Sequence, residues 1–162
     1  MTKPPKGNAK PEDFEMTTVR TFAAPRDLVF KAWTDPKLLA RWWGPAGFTT
    51  TLKKWDSKAG ADILLYMNAP NGAVFPMGGK FVEVIPPSKI VFESDALDPE
   101  GKAIFTVLNS VTLEEEGSTT RLMIHARVLR MLPEAQMYLK GQKKGWSQSL
   151  DRLERLVTGK TP

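Results

Sequence analysis

Between Phe48 and Gly117 the chain is cut by turn signals at short intervals: Lys58-Ala-Gly60, Asn71-Gly72, Pro86-Pro87-Ser88, Asp98-Pro-Glu-Gly101 and Glu115-Glu-Gly117. The runs between them are rich in strand formers, including Phe81-Val-Glu-Val-Ile85, Lys89-Ile-Val-Phe92 and Ile104-Phe-Thr-Val-Leu108, and Arg121-Leu-Met-Ile-His125 follows the last turn. A parallel pairing needs a crossover of a dozen or more residues, so connections this short join antiparallel neighbours. The spacing predicts a meander of five or six strands.

What flanks the meander completes an α+β architecture. Met16–Phe22, rich in β-branched residues, reads as a strand. Pro25 then suits the first turn of a helix that sets Leu28, Val29, Ala32 and Trp33 on one side. Asp35, a helix-breaking or N-cap residue before Pro36, marks the end of that helix and the start of a second short one through Leu38, Leu39 and Trp42, which Gly44-Pro45 ends. After the meander, Pro133-Glu134 opens a helix predicted to run to about Val157, with Trp146, Leu150, Leu153 and Val157 on one stripe. A single apolar stripe must lie on something, and the inner face of the sheet is the large apolar surface on offer. Residues 1–15, with three prolines among charged residues, are expected to be a mobile tail, and residues 16–158 one domain.

Composition removes several classes of function. A chain of 162 residues fits one domain that hides roughly 70% of its unfolded surface without staples. The absence of cysteine excludes disulfides, zinc-thiolate sites and thiol nucleophiles together. The net charge of +5 is spread along the chain, loosely clustered at Lys140, Lys143 and Lys144, with no nucleic-acid motif, so it reads as solvated surface. Met1 to Lys10 lacks the apolar core of a secretory signal, and no run approaches the ~20 apolar residues of a membrane span, so a cytoplasmic location is expected. No phosphate-binding glycine loop, dinucleotide fingerprint or nucleophile elbow is present, and no cofactor or metal site is indicated.

The sole histidine, His125, rules out any site needing two histidine ligands. Alternation in Arg121–Val128 puts Leu122, Ile124, Ala126 and Val128 on the core face and His125 outside. Glu83 depends on phase: with Phe81 and Ile85 inward it is buried and needs a cation such as Arg41, whereas with Val82 and Val84 inward it is solvated. Asp56 reads as a turn residue. Aromatics are denser, with Trp33, Trp42, Trp43, Phe48 and Trp55 crowded into one stretch and Trp146 on the last helix. A strongly bent sheet does not close fully on one helix, and rings with Met67, Met77 and Met137 would make a malleable apolar lining for the gap.

The stretch Ala24-Pro-Arg-Asp-Leu-Val-Phe-Lys-Ala-Trp-Thr-Asp-Pro-Lys-Leu-Leu-Ala-Arg-Trp-Trp-Gly-Pro45 resembles the N-terminal signature of the family of homologues of the activator of the 90-kDa heat-shock protein ATPase. That family lies in the START-like (SRPBCC; polyketide cyclase, birch-pollen-allergen) superfamily. Gly79–Pro87, Gly117–Leu122 and Gly145–Leu153 agree with it in order and spacing, so the resemblance spans about Thr17 to Val157. It implies a helix-grip fold, a curved antiparallel meander wrapped around a long C-terminal helix. The eukaryotic founders stimulate a chaperone ATPase and carry an additional N-terminal domain, for which this chain is expected to have no room. The wider superfamily binds lipids, sterols, hormones and polyketides, and a minority cyclise or hydrolyse them. Many relatives carry a histidine where this chain has Gln142, and another at Ala126, so the resemblance implies a pocket poorer in polar chemistry here.

The leading expectation is therefore a binding protein for a small apolar or amphipathic ligand, held between the sheet and the C-terminal helix. Trp33, Trp42, Phe81, Met137 and Trp146 are the expected lining, with Asn109 and Gln142 as neutral hydrogen-bonding groups. One alternative is a cyclase- or hydrolase-like enzyme with Glu83 or Asp56 as general base, which requires that carboxylate inside the pocket. Another is a module that contacts a chaperone or other protein through the basic face around Lys140 to Lys144. The sequence specifies neither monomer nor homodimer.

Overall fold

The computed structural model describes residues 9–159. Seven strands form one antiparallel sheet: β1 (Met16–Phe22), β2 (Thr49–Trp55), β3 (Asp62–Asn68), β4 (Val74–Ile85), β5 (Lys89–Leu97), β6 (Ala103–Glu116) and β7 (Thr119–Met131). Their order, β1-β7-β6-β5-β4-β3-β2, makes β2 to β7 the expected six-strand meander and sets β1 beside β7. Helices α1 (Arg26–Thr34) and α2 (Pro36–Trp42) follow β1, and α3 (Ala135–Leu139) and α4 (Gln142–Thr158) end the chain. Asp35 caps α2 as expected, its carboxylate accepting from the Lys37 amide at 2.9 Å, with Pro36 in the first turn.

Alternation assigns most of the faces. On β7 the set Leu122, Ile124, Ala126 and Val128 is buried, and His125 lies outside, where its Nε2 meets Glu15 Oε2 at 2.6 Å. On β4 neither expected phase holds, because a bulge between Phe81 and Glu83 inserts a residue. Phe81 and Val84 both reach the core, while Val82 and Ile85 are exposed. Earlier on the same strand, Gly79 has φ +140, and a Cβ there would collide with the Glu93 carbonyl of β5. Only glycine lets the two strands approach this closely.

Two further expectations need correction. The C-terminal helix is not continuous from Pro133. Helix α3 closes at Lys140, Gly141 donates to the Tyr138 carbonyl at 3.2 Å, and α4 begins at Gln142. Glycine is a poor helix former, so the chain can reset its direction there at little cost. Residues 1–8 of the expected tail lie outside the described residues, but Pro11–Phe14 forms a short 3₁₀ helix with Lys10 at its N-cap. Phe14 packs on the cluster of Ile104, Val107, Ala126, Val128, Ala135 and Leu139.

The main core lies between the sheet and the paired helices α1–α2 and α4. Phe22, Trp33, Leu39, Trp42, Phe81, Phe92, Val111, Leu122, Ile124, Leu150 and Leu153 belong to it. On this face the residues of β5 shrink along the strand, from Ile90 and Phe92 to Ser94 and Ala96. That taper leaves the sheet full at one end and open at the other.

Candidate functional site

At the open end, a cleft of about 650 Å³ runs between the tips of β3–β4 and β5–β6, the Pro45–Phe48 loop and α3. Its walls include Phe48, Met67, Phe75, Met77, Phe105 and Tyr138. Pro45, Met67, Met77, Ser94 and Phe105 also line a recess of about 190 Å³ reaching inward beneath α4, so the two spaces share a wall. The recess is completed by Trp43, Gly44, Phe92, Val107, Asn109, Gln142, Gly145, Trp146 and Ser149. A mostly apolar concavity of several hundred Å³ with a few placed polar groups has the make-up of a small-molecule site.

The aromatic wall is continuous with the core. Trp43 and Trp146 stand edge to face with centroids 5.4 Å apart, and Trp33 lies behind both, at 6.1 and 6.0 Å. Trp42 packs edge-on against Trp33 at 4.8 Å and spends its indole N–H on the Ala32 carbonyl at 2.9 Å. Trp55 likewise donates to the Trp33 carbonyl at 2.9 Å. Such edge-to-face stacks stiffen the inner wall of the recess.

The loop that forms the recess rim is held from α4. Arg152 Nη1 donates to the carbonyls of Trp43, Gly44 and Pro45 at 3.3, 3.0 and 3.2 Å, and Nη2 to the Arg41 carbonyl at 3.3 Å. These include the orphan acceptors at the C-terminus of α2, where a cation is electrostatically favoured. Burial, and secondarily the charge of Arg155, hold the Arg152 guanidinium below its ordinary value. From the next turn of α4, Ser149 Oγ accepts the Gly44 amide at 3.1 Å.

The polar floor comes from β5 and β6. Asn109 is 2% exposed, and its Nδ2 donates to Ser94 Oγ at 3.0 Å and to the carbonyls of Phe92 and Val107, both at 3.3 Å. Gln142, at the start of α4, donates to the Phe14 carbonyl at 3.3 Å. Ala126, where many relatives are expected to carry a histidine, is fully buried opposite Asn109 in the β6–β7 register.

The structure thus brings Asn109, Gln142 and Trp146 together around the recess and places the other expected residues elsewhere. Trp33, Trp42 and Phe81 are fully packed core residues that line neither space. Met137 is 75% exposed, because the break at Gly141 resets the helix and turns α3 so that Ala135 and Leu139 are buried instead. Glu83 is on the outer face, paired with Lys89 at 3.1 Å rather than with Arg41, and Asp56 is exposed beside Lys58 at 3.3 Å. Neither carboxylate lines the cleft or the recess, which removes both as a general base there. Lys140, Lys143 and Lys144 are exposed, and none makes an ion pair among the described residues. Sequence reasoning missed Trp43, Ser94, Phe105 and Tyr138 as lining. The shrinking series Ile90, Phe92, Ser94, Ala96 was the available signal for where the sheet leaves room.

Residues 23–158 match the family described as Activator of Hsp90 ATPase homolog 1-like protein. Among solved structures, a protein from Arthrobacter aurescens aligns with TM-score 0.83 at 22% identity, covering 94% of this chain and 90% of its own. A Chromobacterium violaceum protein aligns with TM-score 0.76 at 25% identity, covering 93% and 99%. The AHSA1 protein of Silicibacter pomeroyi aligns with TM-score 0.77 at 22% identity, covering 91% and 99%. At this level of identity the likeness is one of fold, the same helix grip. A search of curated proteins found no match. Among the described residues, no helix is long and apolar enough to cross a membrane.

Proposed function

Because the chain belongs to the Activator of Hsp90 ATPase homolog 1-like family, whose START-like fold is associated with ligand binding, we propose that it holds a small apolar or amphipathic molecule in the cleft and recess. The observation that carries this reading is the continuous apolar wall from Phe75 and Tyr138 at the mouth to Trp43 and Trp146 inside, ending on the amide of Asn109. Transfer of such a molecule from water would be driven by burial of apolar area at about 25 cal/mol per Å². Met67 and Met77 line both spaces, and their flexible thioethers can adjust to ligands of different outline. Neither Glu83 nor Asp56 lines the cleft or the recess, so the reading assigns these spaces to holding a molecule and gives neither carboxylate a part in it.

The reading is tested by filling the space. Ala96 sits between Met77 and Phe105 in the strand register and lines the cleft. An apolar fluorescent probe, N-phenyl-1-naphthylamine, should bind the unmodified protein and bind Ala96→Phe at least tenfold more weakly, with the melting temperature little changed. Equal affinity for the two proteins would place the probe elsewhere and defeat the proposal.

A further inference from the structure

Asn109 is an asymmetric group. The three atoms around its Nδ2, the Phe92 and Val107 carbonyls and Ser94 Oγ, can all accept, and two of them can do nothing else. Turning the amide over would face its oxygen against two carbonyl oxygens, so this network fixes which end points away. That other end, Oδ1, takes no hydrogen bond from any described residue. It is also not among the sealed unpaired atoms, which are Thr18 Oγ1, Arg26 Nε and Trp33 Nε1. It therefore keeps access to the recess that Asn109 lines.

Ser94 is the complementary half. Its oxygen is occupied as acceptor by Asn109 Nδ2, so its hydroxyl hydrogen is the group left to give, and no described residue receives it. The floor of the recess thus presents one free acceptor and one free donor on adjoining side chains. None of the described residues lining the recess is charged. The nearby cation, Arg152, is spent on the carbonyls of Arg41, Trp43, Gly44 and Pro45.

Resting on the reading of the cleft as a ligand site, we propose that the recess selects an uncharged apolar molecule carrying a hydroxyl group. The hydroxyl donates to Asn109 Oδ1 and accepts from Ser94, and the apolar body lies along Trp43, Trp146 and Met77. An anionic or cationic head would be desolvated there with no counter-charge, which is far costlier than leaving a neutral group in place. A molecule lacking the hydroxyl would leave the Asn109 oxygen and the Ser94 hydrogen unpaired.

The experiment is competition for bound N-phenyl-1-naphthylamine at neutral pH by four compounds of one shape: 2-naphthol, 2-methoxynaphthalene, naphthalene and 2-naphthoate. The expected order has 2-naphthol displacing the probe at roughly tenfold lower concentration than the methoxy and unsubstituted compounds, as one or two neutral hydrogen bonds allow. The carboxylate should be weakest, about a hundredfold below 2-naphthol. Ser94→Ala, a change that removes no apolar contact, should narrow the naphthol preference to a few-fold. Equal displacement by naphthalene and 2-naphthol, or tightest binding by the carboxylate, overturns this inference and leaves the cleft reading standing. Failure of the probe itself to bind overturns both.

Discussion

Leu150, Leu153 and Val157, on the C-terminal half of α4, press into a core with Phe22, Val111, Leu122 and Ile124. Gln142, Gly145 and Trp146, on the N-terminal half of the same helix, look onto a recess with volume to spare. The sheet beneath is one sheet, and the difference lies in what its strands present. At the closed end the inner positions carry Ile90, Val111 and Leu113; at the open end they carry Ser94, Ala96 and Asn109. Close packing is the default of protein interiors, so a helix lifted off its sheet at one end marks the end where stability has not been maximised.

The comparison is broken most forcefully by truncating one apolar residue at each end. Leu153→Ala at the closed end should cost about 2–5 kcal/mol, since Leu153 is fully buried and its neighbours have little freedom to fill the hole. Met67→Ala, on the shared wall of cleft and recess, should cost about 1 kcal/mol or less, because that side chain already borders open space. Urea unfolding of the two variants measures both numbers. Similar losses would mean the open end is as tightly packed as the closed one.

Arg152 joins the two ends, and its removal sharpens the comparison. Arg152→Met retains the stem but strips the donors from the Arg41, Trp43, Gly44 and Pro45 carbonyls. The Trp43 carbonyl keeps Thr50 Oγ1 at 2.8 Å and the Pro45 carbonyl keeps the Phe48 amide at 3.1 Å, so a loss of about 1–2 kcal/mol is expected, carried by the Arg41 and Gly44 carbonyls. Limited proteolysis should show new cleavage near Trp43–Phe48, with α4 still resistant. Protection unchanged at that loop would show that the arginine is not what holds the recess rim.

How far the sequence disclosed this arrangement depends on which rule governed each segment. Turn spacing predicted the meander and the period of two predicted the faces of β7, because both are local properties that nothing elsewhere contradicts. β4 defeated alternation, since a one-residue bulge shifts the phase between Phe81 and Glu83 and leaves no mark in hydrophobicity. The last helix defeated periodicity, because Gly141 interrupts it and Met137 then falls on a face that the stripe from Trp146 onward does not foretell. The candidate site was the least legible. Trp33 and Trp146 are the same residue type 6.0 Å apart, yet one is sealed core and the other is wall. Which side of a ring stays bare is decided by how the sheet closes, a property of all seven strands at once.

Gly145 offers the smallest and most discriminating test. It lies in the interior of α4, where glycine is about 1 kcal/mol less favourable than alanine, and it lines the recess. Apart from its chain neighbours and the backbone of its own helix, a Cβ at this position would find no described atom within 4 Å, so no tertiary contact demands glycine. Gly145→Ala should therefore stabilise the protein by about 0.5–1 kcal/mol, raising the melting temperature by roughly 1–4 °C for a chain of this size. Affinity for N-phenyl-1-naphthylamine should fall at the same time, because the added methyl takes volume from the recess. A stabilised protein with undiminished probe binding would separate α4 from the site, leaving the cleft beyond Phe105 as the binding region. Stability and affinity moving in opposite directions is the result expected if the open end of the grip is kept open for a ligand.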